Sequence, residues 1–322
     1  MIWASGVMTS QAEAFERHHG EGDIVKRYGT VGVCALLVMG LTVGSFTAAG
    51  AQGTSGVRGH GAKVGILMFG DSVALTLGWS LNQKDLAATY GYTFKDLGIV
   101  GCGVVMGPFV TADGQTEPSQ PACNGAAPLP GTPLKQQPWP VQWKDELAEY
   151  HPNVVVLLAG RWEEVDREFN GTQTNILDPT FADYVRYQLT YASLLVTSTG
   201  ANMVFLTAPC NDAGKQLDGA PWPEDEPSRL AAYNHLVRQV AAEFPTTDSV
   251  VDLDSLVCPG GKFSATFRHT TIRDPDGVHF TLTAGITLAP ELMPPIVAAG
   301  RAQMARMARL ARMARRPTAK AA

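Results

Sequence analysis

Three observations predict a doubly wound α/β domain, with a mainly parallel sheet covered by helices on both faces. Short apolar runs recur along the chain, at Val64–Phe69, Val154–Ala159, Met203–Ala208 and Ser249–Leu253. The first three are almost uninterrupted by polar residues, as expected of strands buried on both faces. Longer helical stretches lie between them, and that alternation marks parallel strands joined by crossover helices. A chain of 322 residues, 45% apolar and 17% charged, has the material for one large core and is not a disordered chain.

The elements follow in order. Gly70-Asp71-Ser72 ends the first run, and a helix is expected from Leu75 to about Tyr90. Tyr92–Leu97 is a weaker strand, and a helix over Val141–Tyr150 precedes the second strong one. Pro179 opens a long helix to about Ser198 with Asp178 as its N-cap, because proline suits the first helical position and a carboxylate can accept the free N–H groups there. Pro227–Phe244 is the next helix. The last is expected from near Thr283 to about Ala299, interrupted at Pro294-Pro295. Residues 107–140 are rich in Pro and Gly, show no period and read as a long loop.

The net charge of −5 conceals opposed regions. The last 22 residues carry seven Lys or Arg and no acid, which leaves a strongly acidic body. Such a body argues against a nucleic-acid surface, since phosphate contacts need clustered basic residues. Near the N-terminus, Lys26 and Arg27 precede the apolar run Val31–Val43, and Ala49-Gly50-Ala51 follows it. This predicts either a signal peptide cut after Ala51 or an uncleaved membrane anchor, with the body outside the cytoplasm in both cases. The expected organisation is thus a leader or anchor over 1–51, a globular body over 52–300 and a basic tail over 301–322. The tail repeats Met-Ala-Arg every three residues, so its apolar stripe drifts around a helix. It reads as a solvated tail or as a basic helix on an anionic surface.

Apart from Cys34 in the apolar run, four cysteines remain, and they permit three pairings. The nearest-neighbour scheme, Cys102–Cys123 with Cys210–Cys258, would staple two long loops in an oxidising compartment. Closing a loop of about 20 residues stabilises by about 3 kcal/mol in the chain-entropy model. No pair has C-x-x-C spacing and no acidic or histidine cluster has ligand spacing, so neither a metal nor a cofactor is expected.

Two short segments suggest chemistry. Ser72 follows the first strand at a helix entrance, where parallel sheets bind ligands and a helix N-terminus offers free N–H groups to an oxyanion. A serine becomes a nucleophile only when a base takes its proton and a partner fixes that base. His279 is the only one of seven histidines with an Asp three residues earlier, and Gly277 between them allows one turn to present both groups. Each segment alone is also compatible with an ordinary helix cap or turn. Together, in the chain order Ser72, Asp276, His279, they point to a nucleophilic triad.

At these residues the sequence resembles the SGNH (GDSL-like) hydrolases, through FGDSVALTLG (69–78), DLGIVGCGV (96–104), VVVLLAGRWEE (154–164) and DPDGVHFTLTAG (274–285). The resemblance implies the SGNH fold, a flavodoxin-like parallel sheet, over 52–300. It implies Ser72 as nucleophile, Asp276 and His279 as its partners, and Gly101 N–H beside Ser72 N–H as oxyanion donors. The third block departs from the family, because Gly160-Arg161-Trp162 stands where Gly-x-Asn is usual. Arg161 or Trp162 could replace the lost donor or contact substrate, since both carry N–H groups. That variation is similar to SGNH domains that accompany membrane acyltransferases of cell-surface polysaccharides.

The expected function is therefore an extracytoplasmic serine esterase acting on a carbohydrate or lipid acyl ester, with Trp139, Trp143 and Trp162 as possible sugar-stacking faces. The alternatives are an O-acyltransferase for a cell-envelope glycan, working with a membrane acyltransferase, and a catalytically weak glycan- or lipid-binding module.

Overall fold

A computed structural model describes residues 62–119, 123, 138–216 and 218–315, all within one unit, Arg58–Ala322. The expected leader or anchor lies outside the described residues. Among those residues, no helix is long and apolar enough to cross a membrane.

The chain begins with β1 (Val64–Gly70), α1 (Ser72–Leu81), α2 (Lys84–Tyr90) and β2 (Tyr92–Gly98). Two short strands follow, β3 (Phe109–Val110) and β4 (Thr116–Glu117), then α3 (Trp139–Tyr150), β5 (Val154–Leu158) and the single turn α4 (Arg161–Glu164). Next come β6 (Arg167–Phe169), β7 (Thr172–Thr174), α5 (Pro179–Thr197), β8 (Asn202–Leu206), α6 (Pro227–Glu243) and β9 (Asp248–Val251). The chain ends with α7 (Leu253–Val257), the hairpin β10 (Thr266–Phe267) and β11 (Thr270–Thr271), and the long α8 (Ala284–Ala314).

The main sheet has the order β2-β1-β5-β8-β9 with every pair parallel. Chain order reverses between β1 and β5, so the crevice of this doubly wound fold opens at their carboxyl ends. The pleat divides the core in two. Val64, Ile66 and Met68 of β1 pack with α1 and α8 on one face, and Leu67 and Phe69 pack with α3, α5 and α6 on the other. This two-sided burial explains the nearly continuous apolar runs in the sequence.

The structure corrects five expectations. The helix over Leu75–Tyr90 is two helices, because the Tyr92 hydroxyl donates to the Leu81 carbonyl at 2.7 Å and α1 stops at Asn82. The loop over 107–140 contributes β3 and β4 to a small antiparallel sheet, ordered β4-β3-β6-β7. Trp139 and Trp143 are core residues rather than sugar platforms. Trp143 stacks on Phe69 at 4.1 Å, and Trp139 Nε1 donates to the Val104 carbonyl at 2.7 Å.

Most visibly, α8 runs uninterrupted through Pro290, Pro294 and Pro295. All three prolines lie on its exposed side, where water reaches the carbonyls they leave unpaired, while Leu288, Leu292, Met293, Ile296 and Val297 anchor the opposite face. The helix also extends past residue 300. Gln303 is buried and bonded to Asn153 and to the Gly200 carbonyl, and Arg306 Nη1 donates to Asn202 Oδ1 at 2.7 Å. The start of the basic tail thus belongs to the domain. Beyond it Leu310 and Met313 are exposed.

Both disulfides of the nearest-neighbour scheme are present, with Cα–Cα distances of 5.4 Å for Cys102–Cys123 and 6.1 Å for Cys210–Cys258. Asp96, at the end of β2, accepts the Gly98 N–H through Oδ1 at 3.0 Å, while its Oδ2 is buried without a partner. Burial pushes this carboxyl up to about 7. Between the ordinary carboxylate value and about 7, the folded protein holds a proton that the unfolded chain has released, so stability falls as pH rises through that window. Asp96→Asn should flatten that fall: calorimetry should give a higher Tm than the parent at about pH 8 and no difference at about pH 4.

Candidate active site

Ser72 opens α1 directly beyond the carboxyl end of β1, beside the switch point. Asp71 caps the helix: its Oδ1 accepts the N–H groups of Val73 at 2.8 Å and Ala74 at 3.3 Å. The cap leaves the Ser72 N–H unspent, since it makes no hydrogen bond among the described residues. The glycine loop after β2 is tied to the same corner by Ile99 N–H on the Gly70 carbonyl at 2.9 Å. Gly101 has φ +74°, and its N–H is likewise unbonded among the described residues. Both are backbone donors without a partner among the described residues.

The loop before α8 carries Asp276 and His279. Asp276 Oδ2 meets His279 Nδ1 at 2.6 Å, while Oδ1 accepts the N–H groups of Val278 at 2.9 Å and His279 at 3.0 Å. These bonds hold the Asp276 carboxyl well below the usual range against the upward push of its burial. The pairing fixes Nδ1 as the partnered ring nitrogen and leaves Nε2 for other work. The loop is tethered to α1, because Phe280 N–H donates to Thr76 Oγ1 at 3.2 Å and Thr76 Oγ1 donates to the Ser72 carbonyl at 3.0 Å. Arg273 braces it from beneath, donating to the carbonyls of Val278 and Cys210 with its guanidinium over the Phe280 ring at 4.2 Å. No hydrogen bond joins Ser72 Oγ to His279 in this structure.

The third block divides the two residues singled out there. Arg161 is spent on carboxylates, through Nη1 to Asp225 Oδ1 and Nη2 to Glu224 Oε1, both at 2.8 Å. Trp162 keeps a buried Nε1 without a partner and sets its ring edge-on to Phe109 at 5.6 Å. Sequence reasoning missed the carboxyls around them. Asp71, Glu163 and Glu164 are buried and burial raises each of them; Glu163 adds to the push on Asp71 and Glu164, and Asp71 is pushed up to about 7. The adjacent Glu163-Glu164 pair within an apolar strand–turn segment was the available signal. A separate grouping with metal-ligand spacing among the described residues, Cys210, Asp254 and Cys258, has both sulfurs joined in the disulfide and offers no thiolate.

A doubly wound domain with this corner falls in the class of ester-bond hydrolases. Residues 42–294 match the family described as the SGNH domain (fused to AT3 domains), and the chain belongs to that family. No curated protein matches the chain. Among solved structures it is similar to a GDSL-like lipase from Bacteroides thetaiotaomicron, at 14% identity over 76% of this chain and 92% of the other, with a TM-score of 0.45. It is also similar to an alpha/beta hydrolase enzyme from the metagenome of Lake Arreo, Spain, at 15% identity over 76% of this chain and 98% of the other, with a TM-score of 0.44. A carbohydrate esterase family 2 enzyme with a carbohydrate-binding domain, from Corynascus thermopiles, matches at 13% identity over 74% of this chain and 66% of the other, with a TM-score of 0.43. Likenesses at these scores decide nothing about substrate.

The turn that presents His279 depends on Gly277, which has φ +70° and would place a β-carbon 1.8 Å from the Asp212 carbonyl oxygen. Gly277→Ala should lower the unfolding free energy by about 1–3 kcal/mol in urea titrations, through strain at a left-handed position.

Proposed function

We propose that the chain is an extracytoplasmic serine esterase, and the observation that carries this reading is the Asp276–His279 pair tethered to the helix turn that bears Ser72. Ser72 Oγ attacks the carbonyl of an acyl ester while His279 Nε2 takes its proton. The oxyanion receives the N–H groups of Ser72 and Gly101. Collapse returns the proton from His279 to the leaving alcohol and leaves the acyl group on Ser72. Water, deprotonated by the same imidazole, releases the acid. Asp276 holds the imidazole in one tautomer and stabilises it when protonated. Two disulfides and the apolar run near the N-terminus support an oxidising location outside the cytoplasm. The substrate class is a carbohydrate or lipid ester.

A second reading has one specific support, the AT3 acyltransferase domains named in the family description. In that reading a glycan hydroxyl replaces water as acceptor, and the acyl-enzyme chemistry up to that point is identical. Partnership with a membrane acyltransferase belongs to this reading.

Intact mass after treatment with a fluorophosphonate should show one adduct on the parent and none on Ser72→Ala. Absence of an adduct and of Ser72-dependent ester turnover would favour a glycan- or lipid-binding module. Asp276→Asn should lower kcat by about 10⁴-fold, because it leaves the imidazole in the wrong tautomer.

A further inference from the structure

The third block lacks the usual asparagine, yet the next residue reaches the glycine loop. Glu163, on α4, is fully buried, and its Oε1 accepts the N–H groups of Val104 at 2.6 Å and Val105 at 3.3 Å. Val104 is also held at its carbonyl, by Trp139 Nε1 at 2.7 Å. On the other side of the loop, Ile99 N–H bonds to Gly70, and Cys102 N–H closes a turn on the Ile99 carbonyl at 3.1 Å. Cys102 is bound in turn to Cys123. Gly101 lies inside the turn from Ile99 to Cys102, and Glu163 holds the chain just beyond it at Val104 and Val105.

Gly103 shows how closely the carboxylate is fitted. A β-carbon there would lie 1.9 Å from Glu163 Oε1, so only glycine admits the acceptor. Burial of a carboxyl is costly unless its bonds compensate, and here burial pushes Glu163 upward while Arg167 and the amides of Val104 and Val105 pull it down. Its neighbour Glu164 makes no such bonds: both of its oxygens are buried and unpartnered. The glycine loop is thus gripped by one of two adjacent glutamates.

We propose that Glu163 is a positioning residue for the oxyanion hole, whose side chain fixes the Gly101–Val105 loop through two amide bonds and so directs the Gly101 N–H toward the reacting carbonyl. The proposal rests on the serine-esterase reading above. It explains how a site without the third-block asparagine can retain a rigid two-donor hole. A donor displaced by a fraction of an ångström loses much of its value, since the hole works by preorganisation.

The test measures 4-nitrophenyl acetate hydrolysis by the full chain, with Ser72→Ala as blank, together with melting and amide hydrogen exchange over the glycine loop. Glu163→Ala should lower kcat at least about tenfold at nearly constant KM. Glu163→Gln should stay within about threefold of the parent, because its carbonyl oxygen still accepts both amides. Where Glu163→Ala fails to fold, Glu163→Asp, one methylene too short for both bonds, must show the same loss. A folded Ala or Asp variant with unchanged kcat overturns the proposal. Equal losses in folded Gln and Ala variants also overturn it, because they place the effect in the charge. A parent without Ser72-dependent turnover overturns the esterase reading instead, and exchange at Val104 and Val105 then decides the clamp. Faster exchange in Glu163→Ala supports it, and unchanged exchange overturns it.

Discussion

The burial of β1 on both faces is the constraint on which the site depends. A central parallel strand must be covered from above and below, and its crossovers bring every strand-to-helix loop to the carboxyl end of the sheet. Val64, Ile66 and Met68 face one core and Leu67 and Phe69 the other, so a slip of β1 by one residue would send each set into the core shaped for the other. The chain must then leave the sheet at Gly70, and Asp71 caps the helix that begins at once. Ser72 is placed by that exit. The glycine loop and the His279 loop reach the same end because β2 and the start of α8 pack beside α1.

Polar groups at this corner are arranged around desolvation. Asp276 is stabilised as an anion by two amides and an imidazole, whereas burial raises Asp71, Glu163 and Glu164, and Glu163 adds to the push on the other two. Arginines offset part of that cost. Arg161 binds Glu224 and Asp225, Arg167 is bonded to the carbonyls of Gly107 and Trp162, and Arg273 bridges Val278 and Cys210. The loops lining the site are thus fastened by buried guanidinium groups and two disulfides, and the His279 turn also by the antiparallel bridge between Arg273 and Phe280. Arg167→Met or Arg273→Met would leave several carbonyls without donors, which is why these arginines stay buried despite their charge.

Much of the fold was legible because its signals are local. Apolar runs name strands when both faces are buried, Asp178-Pro179 opens α5 as a capping pair should, and Asp276 three residues before His279 needs only one turn to meet it. What was illegible involved partners far apart in the chain. Nothing near Asn82 announces that the Tyr92 hydroxyl will take the Leu81 carbonyl and end a helix. The prolines of α8 argued for a break, and only the packed opposite face shows why the helix continues.

By itself the sequence determined the alternation of strands and helices, the family through its four blocks, and the identity of Ser72, Asp276 and His279 as the residues to watch. Periodicity and short motifs encode these because each spans a few residues. The tertiary structure decided the rest. It placed Trp139 and Trp143 in the core, gave Arg161 to Glu224 and Asp225, drew the basic tail up to Arg306 into the body, and set Glu163 against the amides of Val104 and Val105. Those outcomes depend on which groups desolvate together, and burial is settled only when distant segments pack.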